Sequence, residues 1–338
     1  MEAKAVPTVD PSALTQKDFK SDQEVRWCPG CGDYSILAQM QRTLPRLDIA
    51  REKYVFVGGI GCAARFPYYM NTYGVHGIHG RAPAIATGIK AVRPDLSVWV
   101  ITGDGDSMSI GGNHLLHVLR RNVNVKIMLF NNRVYGLTKG QYSPTSLVGT
   151  RTKSTPQGSV DYPVDPVRFA LGCGAGFVAR VIDIDAKHFQ AVIERAAHHT
   201  GTTLVEIYQN CPIFNDGAFA TLTDKSTKDD HLLYVEHGKK MIFGKNGDKG
   251  IAMDREGRAR VVDATSDDVI VHDEASDILA LFLSRLDGPE LPTPVGVFRA
   301  VERAPYETLM NEQIERQRAA RGGTVQQLLE SGETWRVG

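Results

Sequence analysis

Between residues 54 and 210 the apolar positions fall in short, evenly spaced runs. YVFVGGIG (54–61), SVWVITGDG (97–105) and VKIMLFNN (125–132) are continuous apolar stretches ending in glycine or asparagine, the pattern of strands buried on both faces. Between them, RAPAIATGIKAV (81–92) and GGNHLLHVLRRN (111–122) read as helices, the first with small residues suited to close packing on a sheet. Upstream, residues 34–45 place Ile36, Leu37, Met40 and Leu44 on one helical face. Downstream the rhythm resumes with DPVRFALGCGAG, the strand FVARVID, a helix near 186–200 and the strand TTLVEIYQN (202–210). Strands alternating with helices predict an α/β fold, a parallel sheet with helices on both faces.

Three regions follow from this pattern. Residues 1–25 are polar and read as an extended arm, 26–215 form the main domain, and 216–338 are a C-terminal extension of different composition. Within the main domain, residues 138–166 are rich in Gly, Pro, Ser and Thr, too long a connector to be idle. In the extension, 223–276 is polar with two short strand candidates, RARVVD and DVIVHD. A helix at 276–286 and a polar helical stretch at 308–332 close the chain.

Composition narrows the function classes. Lys plus Arg (39) balances Asp plus Glu (39), which argues against a nucleic-acid partner. No apolar run approaches the ~18 residues of a membrane span. The polar N-terminal segment does not read as a secretory signal, so a cytoplasmic location without a membrane partner is expected. Cysteines in that compartment stay reduced, and the five here are better read as ligands or packing than as disulfides.

Two constellations carry chemistry. The first is Gly103-Asp104-Gly105, followed one helix later by Asn131-Asn132, each at the carboxyl end of an expected buried strand. That edge is where open α/β sheets bind ligands. A carboxylate and an amide carbonyl are hard oxygen donors suited to Mg²⁺, Val134 can add a backbone carbonyl, and the glycines would admit a diphosphate. An isolated GDG would be only a turn; the matching Asn pair raises it to a thiamine-diphosphate-like pattern.

The second constellation is Cys28 and Cys31 in WCPGCGD, Cys62 in GIGCAARFPYY and Cys211 in QNCPIFND, all at loops beside Gly or Pro. Four thiolates suit either a [4Fe–4S] cluster or zinc. Cys62 follows a strand at the same sheet edge, where a one-electron acceptor has a use and a redox-inert ion has none. Cys173, among small apolar residues, reads as packing.

Taken together, WCPGCGD, GIGCAARFPYYMNTYGVHGIHGRAPAIATGIK, the stretch from GDGDSMSIGG to GLTKGQYSPTS, and NCPIFND resemble the beta subunit of 2-oxoacid:ferredoxin oxidoreductases. DREGRARVVDATSDDVIVHDE and LPTPVGVFRAVERAPYE are similar to its 2-oxoglutarate branch. The resemblance implies that Cys28, Cys31, Cys62 and Cys211 hold one [4Fe–4S] cluster, and that Asp104, Asn132 and Val134 hold Mg²⁺. It implies that Ile60, Gly61, Cys62, Ala63, Gly77, Ile78, His79, Gly80, Gly105, Asp106, Gly136 and Leu137 line thiamine diphosphate. Arg65 would pair with the substrate carboxylate, which a guanidinium can grip bidentately. His76, His114 and His117 read as ordinary structural residues.

The implied reaction is CoA-dependent oxidative decarboxylation of 2-oxoglutarate to succinyl-CoA, or its reverse, with electrons leaving through the cluster to ferredoxin. No glutamate stands in a motif for activating the aminopyrimidine ring, so the resemblance implies that an alpha subunit supplies it. Pyruvate or another 2-oxo acid is the alternative substrate. A non-oxidative thiamine decarboxylase would leave the cysteines unexplained, and a non-catalytic metal-binding scaffold would leave the Asp104/Asn132 pair unused.

Overall fold

The computed structural model describes residues 10–286 and 290–338. Among these described residues eleven strands form: β1 Tyr54–Gly58, β2 Tyr73–His76, β3 Ser97–Gly103, β4 Val125–Asn131, β5 Phe177–Ile182, β6 Thr203–Tyr208, β7 Leu232–Val235, β8 Ile242–Phe243, β9 Lys249–Met253, β10 Ala259–Asp263 and β11 Thr293–Ala300. Eight make one sheet in the order β2-β1-β3-β4-β6-β5-β11-β7, and β8–β10 make a small antiparallel sheet.

The first six strands are parallel, as the alternating pattern requires. β11 runs antiparallel to β5 and parallel to β7, so the last two strands reverse direction. Both come from beyond residue 215, and the compositional break there is therefore not an edge of the sheet. Their sequences hide them: TPVGVFRA carries Pro and Gly, and LLYV sits in a polar region.

Side-chain alternation assigns the two faces. Tyr54, Phe56, Trp99, Ile101, Met128 and Phe130 point to one face, under the helices Asp33–Thr43 and Ala186–His198. Val55, Val57, Val98, Val100, Ile127 and Leu129 point to the other, under Ala82–Val92 and Gly112–Arg121. Ile36, Leu37, Met40 and Leu44 are all buried, as their helical spacing predicts. Burial on both faces explains why these strands read as unbroken apolar runs.

Three expectations need correction. The described part of the N-terminal arm is docked rather than extended: Phe19 is fully buried and meets Tyr54 edge-on at 5.7 Å. An apolar anchor overrides the polar composition around it. DVIVHD forms no strand; Val271 makes one isolated bridge to Lys240, and the buried His272 ring contacts the Val297 carbonyl at 2.7 Å. The stretch 308–332 is two helices, Tyr306–Arg321 and Val325–Leu329, parted at Gly322-Gly323. Among the described residues no helix is long and apolar enough to cross a membrane.

Candidate active site at the carboxyl ends of the strands

The chain leaves β1 for β2 on one side, then returns to place β3 on the other. A reversal of this kind opens a crevice beyond the carboxyl ends of the strands, the usual ligand site of such sheets. Around it stand the segments that follow β1 (residues 59–63), β3 (104–106), β4 (132–137) and β6 (209–211). β3 and β4 are direct neighbours, with Gly103 paired to Phe130, so Asp104 and Asn132 emerge side by side.

One cavity, of about 220 Å³, is lined by Ile60, Gly61, Cys62, Ala63, His79, Asp104, Gly105, Asp106, Asn132, Val134, Gly136 and Leu137. All of these were expected at the site. Gly77, Ile78 and Gly80 do not line it. The Gly77 N–H donates to the Gly58 carbonyl, the Gly80 N–H to Asp106, and Ile78 faces outward. Only His79 of that segment reaches the cavity.

The two glycines flanking Asp104 differ. A Cβ on Gly105 would lie 2.1 Å from the Tyr135 ring, whose hydroxyl donates to the Gly105 carbonyl at 3.1 Å. Gly105 thus makes room for a tyrosine, whereas a Cβ on Gly103 would meet only the Phe130 carbonyl, at 4.0 Å.

Asp106 is a junction. Its Oδ1 accepts from the Ile60 N–H at 3.0 Å and the Gly80 N–H at 2.7 Å and meets His79 Nδ1 at 2.7 Å, while Oδ2 accepts from the Thr102 hydroxyl at 2.7 Å. A buried carboxylate so fully engaged fixes the loops after β1 and β2 against the start of the helix Asp104–Met108. Asp104 is also buried, and burial raises its carboxyl to about 6 against the opposing hydrogen bonds of Ser143 and Thr145.

The asparagine pair divides its work. Asn131 is turned inward, its amide donating to Glu206 at 2.7 Å. Asn132 lines the cavity, its amide donating to Gln209 at 2.8 Å and its carbonyl accepting from the Val134 N–H at 3.2 Å.

A second cavity of about 220 Å³ lies alongside, lined by Trp27, Cys28, Cys31, Cys62, Arg65, Asn132, Gly136, Leu137, Gln209 and Cys211 among others. All four expected cysteines meet there, brought by the CPGC turn, the end of β1 and the end of β6. Among the described residues no three Cys, His, Asp or Glu side chains converge on a single ion; the thiols ring a cavity instead. The Trp27 indole donates to the Cys62 carbonyl at 2.8 Å, and Gln209 donates to Cys31 Sγ at 3.3 Å. Burial pushes the Cys62 thiol up to about 12 and raises Cys31 as well; the charge of Asp33 adds to both shifts, while its backbone N–H opposes the one at Cys31. Bare thiolates are costly here, and a coordinating cation removes that cost. A Cβ on Gly136 would stand 3.6 Å from Cys62 Sγ and 3.7 Å from Cys211 Sγ.

Arg65 opens onto the second cavity and onto a wider cleft of about 540 Å³ that also holds Arg26, Tyr68 and His76. His76, read as ordinary, lines that cleft beside Ile60, Gly61 and Leu137. His114 and His117 line none of these spaces.

Comparison with known proteins bears directly on this edge. The family described as thiamine pyrophosphate enzyme, C-terminal TPP binding domain, matches residues 59–207, from the end of β1 into β6. The 2-oxoglutarate oxidoreductase subunit KorB of Mycobacterium tuberculosis is 53% identical over 98% of this chain and 91% of its own. The chain belongs to the beta subunits of the 2-oxoacid:ferredoxin oxidoreductases. A 2-oxoacid:ferredoxin oxidoreductase beta subunit of Saccharolobus solfataricus is 42% identical over 56% of the chain and 63% of its own length. Among solved structures, a 2-oxoglutarate:ferredoxin oxidoreductase from Magnetococcus marinus, with 2-oxoglutarate, coenzyme A and succinyl-CoA bound, aligns with TM-score 0.78 at 31% identity. The alignment covers 95% of this chain and 97% of that one.

As a beta subunit, the chain is one part of an oxidoreductase that has other subunits. Several residues that shape its site lie outside the sequence expectations. Asp33, Phe130, Tyr135 and Thr138 line the first cavity, and Gln209 the second. Ser143 and Thr145 reach Asp104 from the long loop after β4. Their signals in the sequence are the length and composition of that loop and their place in the GLTKGQYSPTS stretch, neither of which assigns them a role.

Proposed function

We propose that this subunit carries thiamine diphosphate, Mg²⁺ and one [4Fe–4S] cluster. With its alpha partner it performs the CoA-dependent oxidative decarboxylation of 2-oxoglutarate to succinyl-CoA, or the reverse, exchanging electrons with ferredoxin. The observation that carries the reading is a shared wall: Cys62, Asn132, Gly136 and Leu137 line both the oxygen-rich cavity and the thiol-ringed one. A cofactor that gathers electrons and a carrier that removes them need that adjacency; a zinc scaffold or a non-oxidative decarboxylase does not.

The residues fit both groups. Asp104, the Asn132 carbonyl and the Val134 carbonyl are hard oxygen donors for Mg²⁺ and, through it, a diphosphate. Cys28, Cys31, Cys62 and Cys211 are a four-thiol set for an iron–sulfur cluster. When bound, thiamine diphosphate supplies the nucleophilic carbon and the electron sink for decarboxylation, and the cluster takes electrons singly.

The chain's own residues supply position and charge. Asp106 holds His79 and the Ile60 backbone against the first cavity. Arg65, at the mouth shared by the second cavity and the cleft, would grip the carboxylate of the 2-oxo acid. Among the described residues no glutamate lines the first cavity, so the carboxylate that activates the aminopyrimidine ring would come from the alpha subunit. The 2-oxoglutarate assignment draws on the names of the Mycobacterium and Magnetococcus relatives.

The test is to purify the chain anaerobically with its alpha partner, quantify iron and sulfide, and record EPR spectra after adding 2-oxoglutarate and CoA. About four irons per chain, with a reduced-cluster signal that requires thiamine diphosphate and 2-oxoglutarate, is the expected result. A signal raised by pyruvate but not by 2-oxoglutarate would keep the chemistry and replace the substrate. Zinc without iron would remove the redox mechanism.

A further inference from the structure

We propose that Ser143-Pro144-Thr145-Ser146, within the long loop after β4, is a clasp that positions the cation-binding groups, its hydroxyls acting on the ligands rather than as ligands. The inference rests on the thiamine and magnesium reading above. Three buried hydroxyls in four residues are each committed to a strand end. Ser143 Oγ donates to Asp104 Oδ2 at 2.5 Å, and Thr145 Oγ1 lies 2.6 Å from the same oxygen. Both hydroxyls meet Oδ2, so neither competes with a cation for Oδ1.

The same clasp grips the neighbouring strand. Thr145 Oγ1 stands 2.9 Å from Asn131 Oδ1, and Ser146 Oγ donates to the Arg133 carbonyl at 2.6 Å while accepting from the Ser143 N–H at 2.8 Å. The orientation of Asn131 is fixed from behind. Its amide must face Glu206, which the buried Arg180 holds at 2.6 Å, so its carbonyl faces Thr145 and accepts from the Arg133 N–H at 3.2 Å. Arg133 itself takes a left-handed φ of 57°, a conformation a bulky residue adopts only where its surroundings enforce it. That bend aims the Asn132 and Val134 oxygens. The clasp therefore ties Asp104 of one strand end to the Asn132–Val134 turn of the next, and sets the spacing between the donors.

Groups that hold metal ligands in place typically alter metal affinity about 10- to 100-fold when removed. The experiment is calorimetric titration of Mg²⁺ into the purified alpha–beta complex at saturating thiamine diphosphate, with iron per chain and metal-free thermal unfolding measured on the same samples. Ser143→Ala combined with Thr145→Val should weaken Mg²⁺ binding by about 10- to 100-fold with iron content unchanged. Thr145→Ser, which keeps the hydroxyl, should restore most of the affinity lost in Thr145→Val. Wild-type affinity in the double variant overturns the clasp, as does equal loss in Thr145→Ser and Thr145→Val, which would make the methyl group the cause. If the double variant does not fold, Ser143→Ala alone decides by the same criterion. A wild-type complex that binds neither Mg²⁺ nor thiamine diphosphate removes the cofactor reading itself, and the clasp with it.

Discussion

Strand β4 carries buried polar residues at both ends, and the two ends behave differently. At its amino end Lys126 Nζ donates to the side-chain Oδ1 of Asn124 at 3.0 Å, the Gly201 backbone carbonyl at 3.2 Å and the His199 backbone carbonyl. Nearby, Asn122 donates to the Arg303 carbonyl at 2.9 Å and accepts from the Thr202 N–H at 3.1 Å. These groups are closed over by the chain following β11, and they border none of the three spaces at the site. At the carboxyl end, Asp104 and Asn132 are anchored through part of their hydrogen-bonding capacity and present the rest to a cavity, while the thiols next door line a second cavity with few partners. Buried polar groups that satisfy one another are architecture; those left partly unsatisfied around a space are where a ligand belongs.

The comparison breaks most sharply at Cys62, which stands in both walls of the site. Cys62→Ser should abolish substrate-dependent ferredoxin reduction and strip most of the iron from the purified complex. Fold and assembly should survive, because the strands beneath are held by apolar contacts. Retention of iron with loss of activity would place Cys62 in the thiamine cavity alone. Next in size is Arg65→Met. Removing a charge-assisted carboxylate contact is worth about 2 kcal/mol, or roughly 30-fold, and should raise KM for the 2-oxo acid far more than it lowers kcat. Steady-state kinetics with 2-oxoglutarate would read this, and an unchanged KM would remove Arg65 from the substrate.

The amino end should answer in stability rather than turnover. Asn122 has a left-handed φ of 55° and is bonded through both ends of its amide. Asn122→Ala should lower unfolding free energy by about 1–3 kcal/mol, since it leaves buried backbone groups unpaired, with KM unchanged. Denaturant unfolding beside kinetics separates the two; a shifted KM would mean that the ends are coupled through β4.

The sequence displayed the sheet far better than the site. Runs such as VFV, VWVI and KIMLF are legible because both faces are covered, and the alternation of aromatic with aliphatic residues even assigns the faces. β2 (YGVH) is short and largely exposed, and nothing in its pattern marks a strand. β7 and β11 are obscured by polar neighbours, Pro and Gly. The Asp104/Asn132 pairing could be reasoned from strand ends, but which asparagine faces the cavity depends on Glu206, far away in sequence and placed by the neighbouring β6. The convergence of Cys28, Cys31, Cys62 and Cys211 rested on motif resemblance, because no local spacing joins residues from three separate loops. Ser143 and Thr145 lie in the GLTKGQYSPTS stretch, but their role was not legible: hydroxyls in a polar loop look like any others until the loop folds back onto Asp104.

The smallest effect, and the one most specific to the amino end, concerns pH. Burial pushes the Lys126 ammonium from its ordinary 10.5 down to about 7, with Lys90 lowering it further and Glu307 and Glu302 opposing. A group whose folded pKa lies below its unfolded value leaves the unfolded chain holding the extra proton between the two. Stability therefore rises with pH across that window, and the contribution is lost as pH falls toward 7. Cys31 and Cys62, raised by burial, act in the opposite sense once unfolded thiols begin to ionise. The useful window is thus about pH 7 to 8.5, below the ordinary thiol range. Lys126→Met should flatten the rise of unfolding free energy over that window relative to wild type, and comparing the two chains cancels the thiol contribution. Equal slopes would mean that the three oxygens around Nζ keep the ammonium charged when folded, making the amino end a satisfied ionic site instead of a proton-sensitive one.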